Sequence, residues 1–207
     1  MISIDQSDKV VIVGYSGAGK STLLQYFIDV VCRNFHNLVI VDPTAKFSKL
    51  QKKEFIGVVP CLNPRKGKIC VKLHDPEDME KLVHVLNRTY DPAFLVIDEV
   101  DGYINPFVLP RQFGLFSEQG RNWSQGGIFT VRRIGAWNKS ILSNTHYLVL
   151  FQIRNARDRQ YLKGMLDVDL DRMLSALGEH DFYVIDMHMS QVLGKFRLAG
   201  QTLKTVR

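Results

Sequence analysis

Residues 14–21 read Gly14-Tyr15-Ser16-Gly17-Ala18-Gly19-Lys20-Ser21. These types at this spacing suit one task, holding a polyphosphate. Glycines let the backbone curl around phosphate and turn its N–H groups inward. A helix beginning at the end of the loop adds the partial positive charge of its N-terminus. Lys20 would reach the β- and γ-phosphates, and the Ser21 hydroxyl would coordinate Mg2+. With Thr22 the stretch supplies the nucleotide-binding residues, and ATP is the expected ligand. The loop fits the GxxxxGK[ST] pattern at every fixed position, after an apolar strand and before a helical pattern, which is the context the pattern requires.

A Mg2+ site of this kind also needs a carboxylate at the end of a neighbouring strand. Residues 94–99, Phe94-Leu95-Val96-Ile97-Asp98-Glu99, provide four apolar residues and then two acids. Asp98 is assigned to the metal shell with Ser21. Glu99, one residue on, is placed to orient or deprotonate an attacking water. A second acid argues for hydrolysis to water over transfer to a metabolite, and so against a small-molecule kinase. Neither an NKxD stretch for guanine nor an LSGGQ stretch is visible.

The elements that must position these residues follow from periodicity. Short apolar strands are expected at 9–13, 38–41, 69–73, 94–97, 128–131 and 146–153. Helical spacing is expected at 20–31, 76–88, 110–119 and 159–177, the last broken near Asp167. A closing hairpin is expected from 182–187 and 191–198. Strands alternating with helices call for an α/β fold with a mainly parallel central sheet flanked by helices. The 207 residues suit a single P-loop ATPase domain over 1–207.

Composition narrows the classes. Hydrophobic residues make up 45%, as in ordinary globular chains. The apolar runs are too short to span a bilayer, and residues 1–9 do not read as a signal peptide. Cys32, Cys61 and Cys70 form no CxxC pair and read as reduced thiols of a cytosolic chain. Net charge is +6, which favours a polyanionic partner. Residues 46–72 hold eight Lys or Arg against the single acid Glu54. A solvated face and a nucleic-acid contact are both open readings of that group.

The phosphate loop, the apolar strand ending in Asp42-Pro43, the stretch FLVIDEVD at 94–101, and Gly120-Arg121-Asn122-Trp123 followed by 127–133 come in an order that resembles the FtsK–HerA superfamily. Within it the chain is most similar to the small genome-packaging ATPases of double-stranded DNA viruses with an internal membrane. The match covers roughly residues 10–155. It implies the RecA-like class of P-loop NTPase, with an additional strand and a catalytic Glu. It implies an ATP- and Mg2+-dependent motor with catalytic residues Glu99, Lys20 and Arg121. The partners implied are double-stranded DNA held without sequence preference, copies of the chain in a hexameric ring, and capsid or portal vertex proteins. The implied location is the host cytoplasm or the virion vertex. Arg121 takes the place of a finger inserted into the next subunit's ATP site, the alternative being a solvated arginine at a helix end. Many relatives carry Gln in the sensor strand where this chain has Val131, and Thr130 and Arg132 are the open alternatives for that role. Nucleotide sensing, subunit contact and plain surface are open to Arg132 and Arg133, and Arg132 is grouped with the nucleotide-binding residues. No added barrel, membrane segment or DNA-orienting module is visible, which favours a minimal packaging motor. The rival readings are a non-viral DNA translocase of conjugation or plasmid transfer and a phage assembly and export ATPase.

Overall fold

A computed structural model describes residues 4–35, 37–43, 47, 52–54, 68–73, 75–89, 92–105, 107–200 and 202–206. Strands β1 (Lys9–Val13), β2 (Leu38–Val41), β3 (Lys52–Glu54), β4 (Lys68–Lys72), β5 (Ala93–Ile97), β6 (Gln125–Val131), β7 (Tyr147–Leu150), β8 (Asp181–Asp186), β9 (Gln191–Ala199) and β10 (Thr202–Thr205) make one sheet. Its order is β10-β9-β8-β7-β1-β6-β5-β2-β4-β3. From β3 to β7 every pairing is parallel, whereas β7, β8, β9 and β10 pair antiparallel. The decisive feature is β6, which lies between the phosphate-loop strand β1 and the acidic strand β5.

Strand residues alternate between two cores. Val11, Val13, Leu95, Ile97, Phe129 and Val131 face α2 (Pro76–Thr89), α3 (Arg111–Gln119), α4 (Lys139–Ser143), α5 (Ala156–Lys163) and α6 (Leu170–Ser175). Val10, Ile12, Phe94, Val96 and Ile128 face α1 (Lys20–Asp29) on the other side. Burial on both faces is what parallel strands require, and it explains their unbroken apolar runs. Glu77 and Asp78 in the first turn of α2, and Arg88 in its last, complement the helix dipole. Cys32 and Cys70 are buried.

Several expectations need correction. The break expected near Asp167 is present, between α5 and α6, but the two helices begin and end elsewhere than 159 and 177. Asn155 starts α5 at Ala156 by accepting from the N–H groups of Arg157 and Asp158, and Asp169 starts α6 by accepting from Arg172. The strand expected over 146–153 ends at Leu150 because the chain then crosses beneath the phosphate loop, where Phe151 donates to Val13 and the N–H of Tyr15 donates to Gln152. The C-terminal hairpin carries a third strand, β10. Helix α4, capped by Asn138, is too short to leave a periodic trace. Half of the basic group of residues 46–72, namely Lys46, Lys49, Arg65 and Lys66, lies outside the described residues, as does Cys61. Only the backbones of Lys52, Lys53, Lys68 and Lys72 are placed, in β3 and β4. Among the described residues no helix is long and apolar enough to cross a membrane.

Candidate nucleotide site

The phosphate loop leaves the end of β1, and α1 begins at Lys20. Gly19 has φ 106° as the helix cap, a left-handed conformation open to glycine at little cost. Gly14 is fixed by space: a Cβ there would lie 2.6 Å from the Cβ of Phe151. Lys20 lies along the loop, its Nζ donating to the carbonyls of Gly14 at 2.7 Å and Tyr15 at 3.0 Å. Burial lowers its pKa, while the carboxylates of Asp98, Asp101 and Glu99 pull it back up. Tyr15 is covered by Arg154, whose guanidinium carbon sits 3.8 Å from the ring centroid.

The acids stand where the sequence requires them, and Thr130 holds them there. Asp98 is fully buried. Its Oδ2 accepts from the Ser21 hydroxyl at 3.2 Å, and its Oδ1 accepts from the Thr130 hydroxyl at 2.6 Å. Thr130 Oγ1 in turn accepts the backbone N–H of Glu99 at 2.8 Å. One hydroxyl thus aims the first acid and pins the backbone of the second. Glu99 itself adopts φ 55° and ψ 49°, a strained choice for a non-glycine residue and of a kind that concentrates at functional sites. Strand alternation turns Thr130, and not Val131, toward the site. Thr130 shares the α1 face with Ile128, while Val131 belongs to the apolar core of the opposite face.

Arg132 follows β6 directly. Its Nη2 lies 3.1 Å from Glu99 Oε2, and its Nε 3.8 Å from Asp101 Oδ2. Arg133 instead turns to Asp158 of α5 at 3.1 Å, a buried carboxylate that also accepts the N–H of Gly135. Beside the loop, Tyr15, Ser16, Asp101, Arg132, Arg133 and Arg154 line a cleft of about 400 Å3. Asp42, at the end of β2, is buried and accepts the N–H of Phe47.

Ser21 Oγ and Asp98 Oδ2 together offer hard oxygen donors of the kind Mg2+ takes alongside substrate phosphates. Among the described residues no group of three or more His, Cys, Asp or Glu gathers into a metal cage. The arrangement can bind a triphosphate along the loop, neutralise its charge from Lys20, and present Glu99 to a water beyond the last phosphate.

Arg121 is elsewhere. It sits exposed in the 3-10 turn Gly120–Trp123 before β6, where the strands begin. There its charge helps push the buried Lys9 amine down to about 8, burial being the larger cause. The length of β6 separates it from the phosphate loop, roughly 20 Å at strand rise. Arg121 therefore cannot reach the loop of its own chain. His180, Arg154 and Asp101 are site neighbours that the sequence reading missed. His180 Nδ1 lies 3.2 Å from the Ala18 carbonyl oxygen. No local motif marks it, because 162 residues separate the two.

Fold and site together define the class, a P-loop ATPase fold with an additional strand between the loop strand and the acidic strand. Residues 4–99 match the family model described as helicase HerA, central domain. The genome packaging NTPase B204 of Sulfolobus turreted icosahedral virus 2, solved with AMPPCP, is similar with TM-score 0.77. Its identity is 19%, over 91% of this chain and 97% of that chain. B204, the DNA-packaging ATPase of Sulfolobus turreted icosahedral virus, is similar with TM-score 0.78 and 17% identity, over 99% of this chain and all of that one. EssC (ATPases 2 and 3) of Geobacillus thermodenitrificans gives TM-score 0.59 and 12% identity, over 86% of this chain and 37% of that chain. The resemblance to FtsK–HerA-type ATPases read from the sequence thus holds in the fold and, over residues 4–99, in the family model. No curated protein matches the chain in sequence.

Proposed function

We propose that this chain hydrolyses ATP with Mg2+ and uses the cycle to move double-stranded DNA, as a ring of copies that packages a viral genome into a preformed capsid. The observation that carries hydrolysis is the Thr130 clamp, which holds Asp98 and Glu99 in two distinct poses beside the phosphate loop. Packaging is supported by the likeness to the B204 proteins over nearly their whole length. The net charge of +6 supports a polyanionic partner gripped through its phosphates, hence without sequence preference. The working locations in this reading are the host cytoplasm and the virion vertex, with capsid or portal proteins as partners.

In this reading Lys20 exchanges its two loop carbonyls for phosphate oxygens. Asp98 and Ser21 would hold Mg2+, which supplies charge neutralisation on the phosphates when bound. Glu99 takes the proton of the attacking water. Arg132 engages the Glu99 carboxylate until a terminal phosphate competes for its guanidinium, so the ion pair gates the base. Arg121 acts on the nucleotide of the adjacent subunit.

The test is ATP turnover with and without long duplex DNA, across a salt series, repeated with empty capsids. Duplex of any sequence should stimulate turnover, the stimulation should fade toward a few hundred millimolar salt, an order-of-magnitude range from counterion release, and Lys20→Ala should abolish it. Turnover by an assembled ring that neither DNA nor capsids ever change would overturn the motor reading. Undiminished turnover by Lys20→Ala would overturn the site.

A further inference from the structure

The phosphate loop has two ends, and only one has chemistry assigned to it. Asp98, Glu99, Thr130 and Arg132 belong to β5, β6 and the turns that follow them. In the sheet both strands lie on one side of β1, whereas β7 and β8 lie on the other. A triphosphate with its reacting end toward β5 and β6 must send its sugar and base toward β7 and β8. The residue waiting there is His180, immediately before β8.

Its setting is built. Nδ1 lies 3.2 Å from the carbonyl oxygen of Ala18, and a Cβ on Gly19 would come within 3.4 Å of the same nitrogen. The ring therefore rests on the loop at the residues that lead into α1. Its side chain is nevertheless 54% exposed, with Nε2 directed toward Glu179 at 3.7 Å, so part of the ring is open above the loop. The backbone of His180 has φ 61°, a left-handed value for a residue with a full side chain. A locked turn enforces it. The buried Asp181 accepts from Arg197 Nε at 2.6 Å with one oxygen and from the N–H of Gly178 at 3.0 Å with the other. Strain that the surroundings enforce in this way gathers at ligand clamps. Here it fixes an aromatic ring where a nucleoside would leave the loop.

We infer that His180 stacks on the base of the bound purine nucleotide while its Nδ1–H anchors the loop through the Ala18 carbonyl. This rests on the nucleotide reading of the loop, and the test separates the two. His180→Asn keeps a short side chain that tolerates the left-handed backbone and can still donate to Ala18, but it has no ring. Binding of ATP and of inorganic triphosphate to wild type and variant should be measured by calorimetry in the presence of Mg2+. His180→Asn should weaken ATP about tenfold or more, the size of one base–ring stacking contact, and leave triphosphate within about twofold. His180→Ala should weaken ATP to a similar degree and, lacking the donor to Ala18, weaken triphosphate as well. Equal ATP affinity in wild type and His180→Asn, or parallel losses of ATP and triphosphate in that variant, would overturn the stacking role and leave the phosphate site standing. Wild type that binds neither ligand would overturn the phosphate site and this inference with it.

Discussion

Thr130→Val is the sharpest perturbation of this site, because it changes almost no volume and removes one hydroxyl with two bonds. Asp98 Oδ1 loses a 2.6 Å hydrogen bond and the Glu99 N–H loses its 2.8 Å acceptor. A hydrogen bond to a charged group contributes about 1.5–3 kcal/mol, and an abandoned N–H costs about 1–3 kcal/mol. The Glu99 N–H contact is only part-buried, so water can recover part of the second loss. The expected destabilisation is about 3 kcal/mol, read from denaturant midpoints. Turnover suffers separately, since an acid free to rotate and a base on a loosened backbone both leave the reacting geometry. A misplacement worth about 1.4–3 kcal/mol at the transition state lowers the rate about 10- to 100-fold. Thr130→Ser restores the hydroxyl and should recover most of that rate. Val131→Thr, one residue on, should lose stability without gaining a site contact, because its side chain enters the apolar core on the other face. A Thr130→Val variant that turns over ATP at the wild-type rate with unchanged stability would refute the clamp.

Arg121→Ala should bind ATP nearly as wild type does and hydrolyse it poorly. Mixed with Glu99→Gln subunits it should regain activity, since an intact Glu99 can then face an intact Arg121 across a subunit boundary. Mixed rings with no recovery at any ratio would count against action in trans. Lys9 gives a pH prediction. Its amine falls to about 8 in the folded chain against an ordinary 10.5, so between those values the unfolded chain binds more protons and stability rises with pH. Below pH 8 both states carry the proton and the full penalty is present, on the order of 3 kcal/mol at most. Lys9→Met should raise stability at pH 7 by one to a few kcal/mol, an order-of-magnitude figure from the same shift, and flatten the rise above pH 8. Urea midpoints at pH 7 and pH 10 measure both.

Where a residue's chemistry is local, the site was legible in the chain. Gly14 to Ser21 need only each other and the helix they open, so their order announces the loop. Asp98 and Glu99 follow an apolar run whose composition already marks a buried strand. Strands buried on both faces write themselves as continuous apolar segments, and β1, β2 and β5 appeared accordingly. Short or half-exposed elements leave no such trace. Residues of β10 are exposed or half-buried, and α4 has five residues.

Sequence alone determined the phosphate loop, the pair of acids and the alternation of strands with helices, since each depends on neighbours a few positions away. The resemblance implied an additional strand, and the tertiary structure decided that it is β6, entering between β1 and β5, an insertion from which every further relation in the site follows. Alternation along β6 says that Thr130 and Val131 face opposite ways, but only the packing of α1 against one face says which of them meets Asp98. The same insertion sets Arg132 against Glu99 and leaves Arg121 at the far end of the strand. His180 reaches Ala18 across 162 residues because β8 lies one strand beyond β7. Such contacts are chosen by which surfaces exclude water together, a property of the assembled sheet that no stretch of the chain carries by itself.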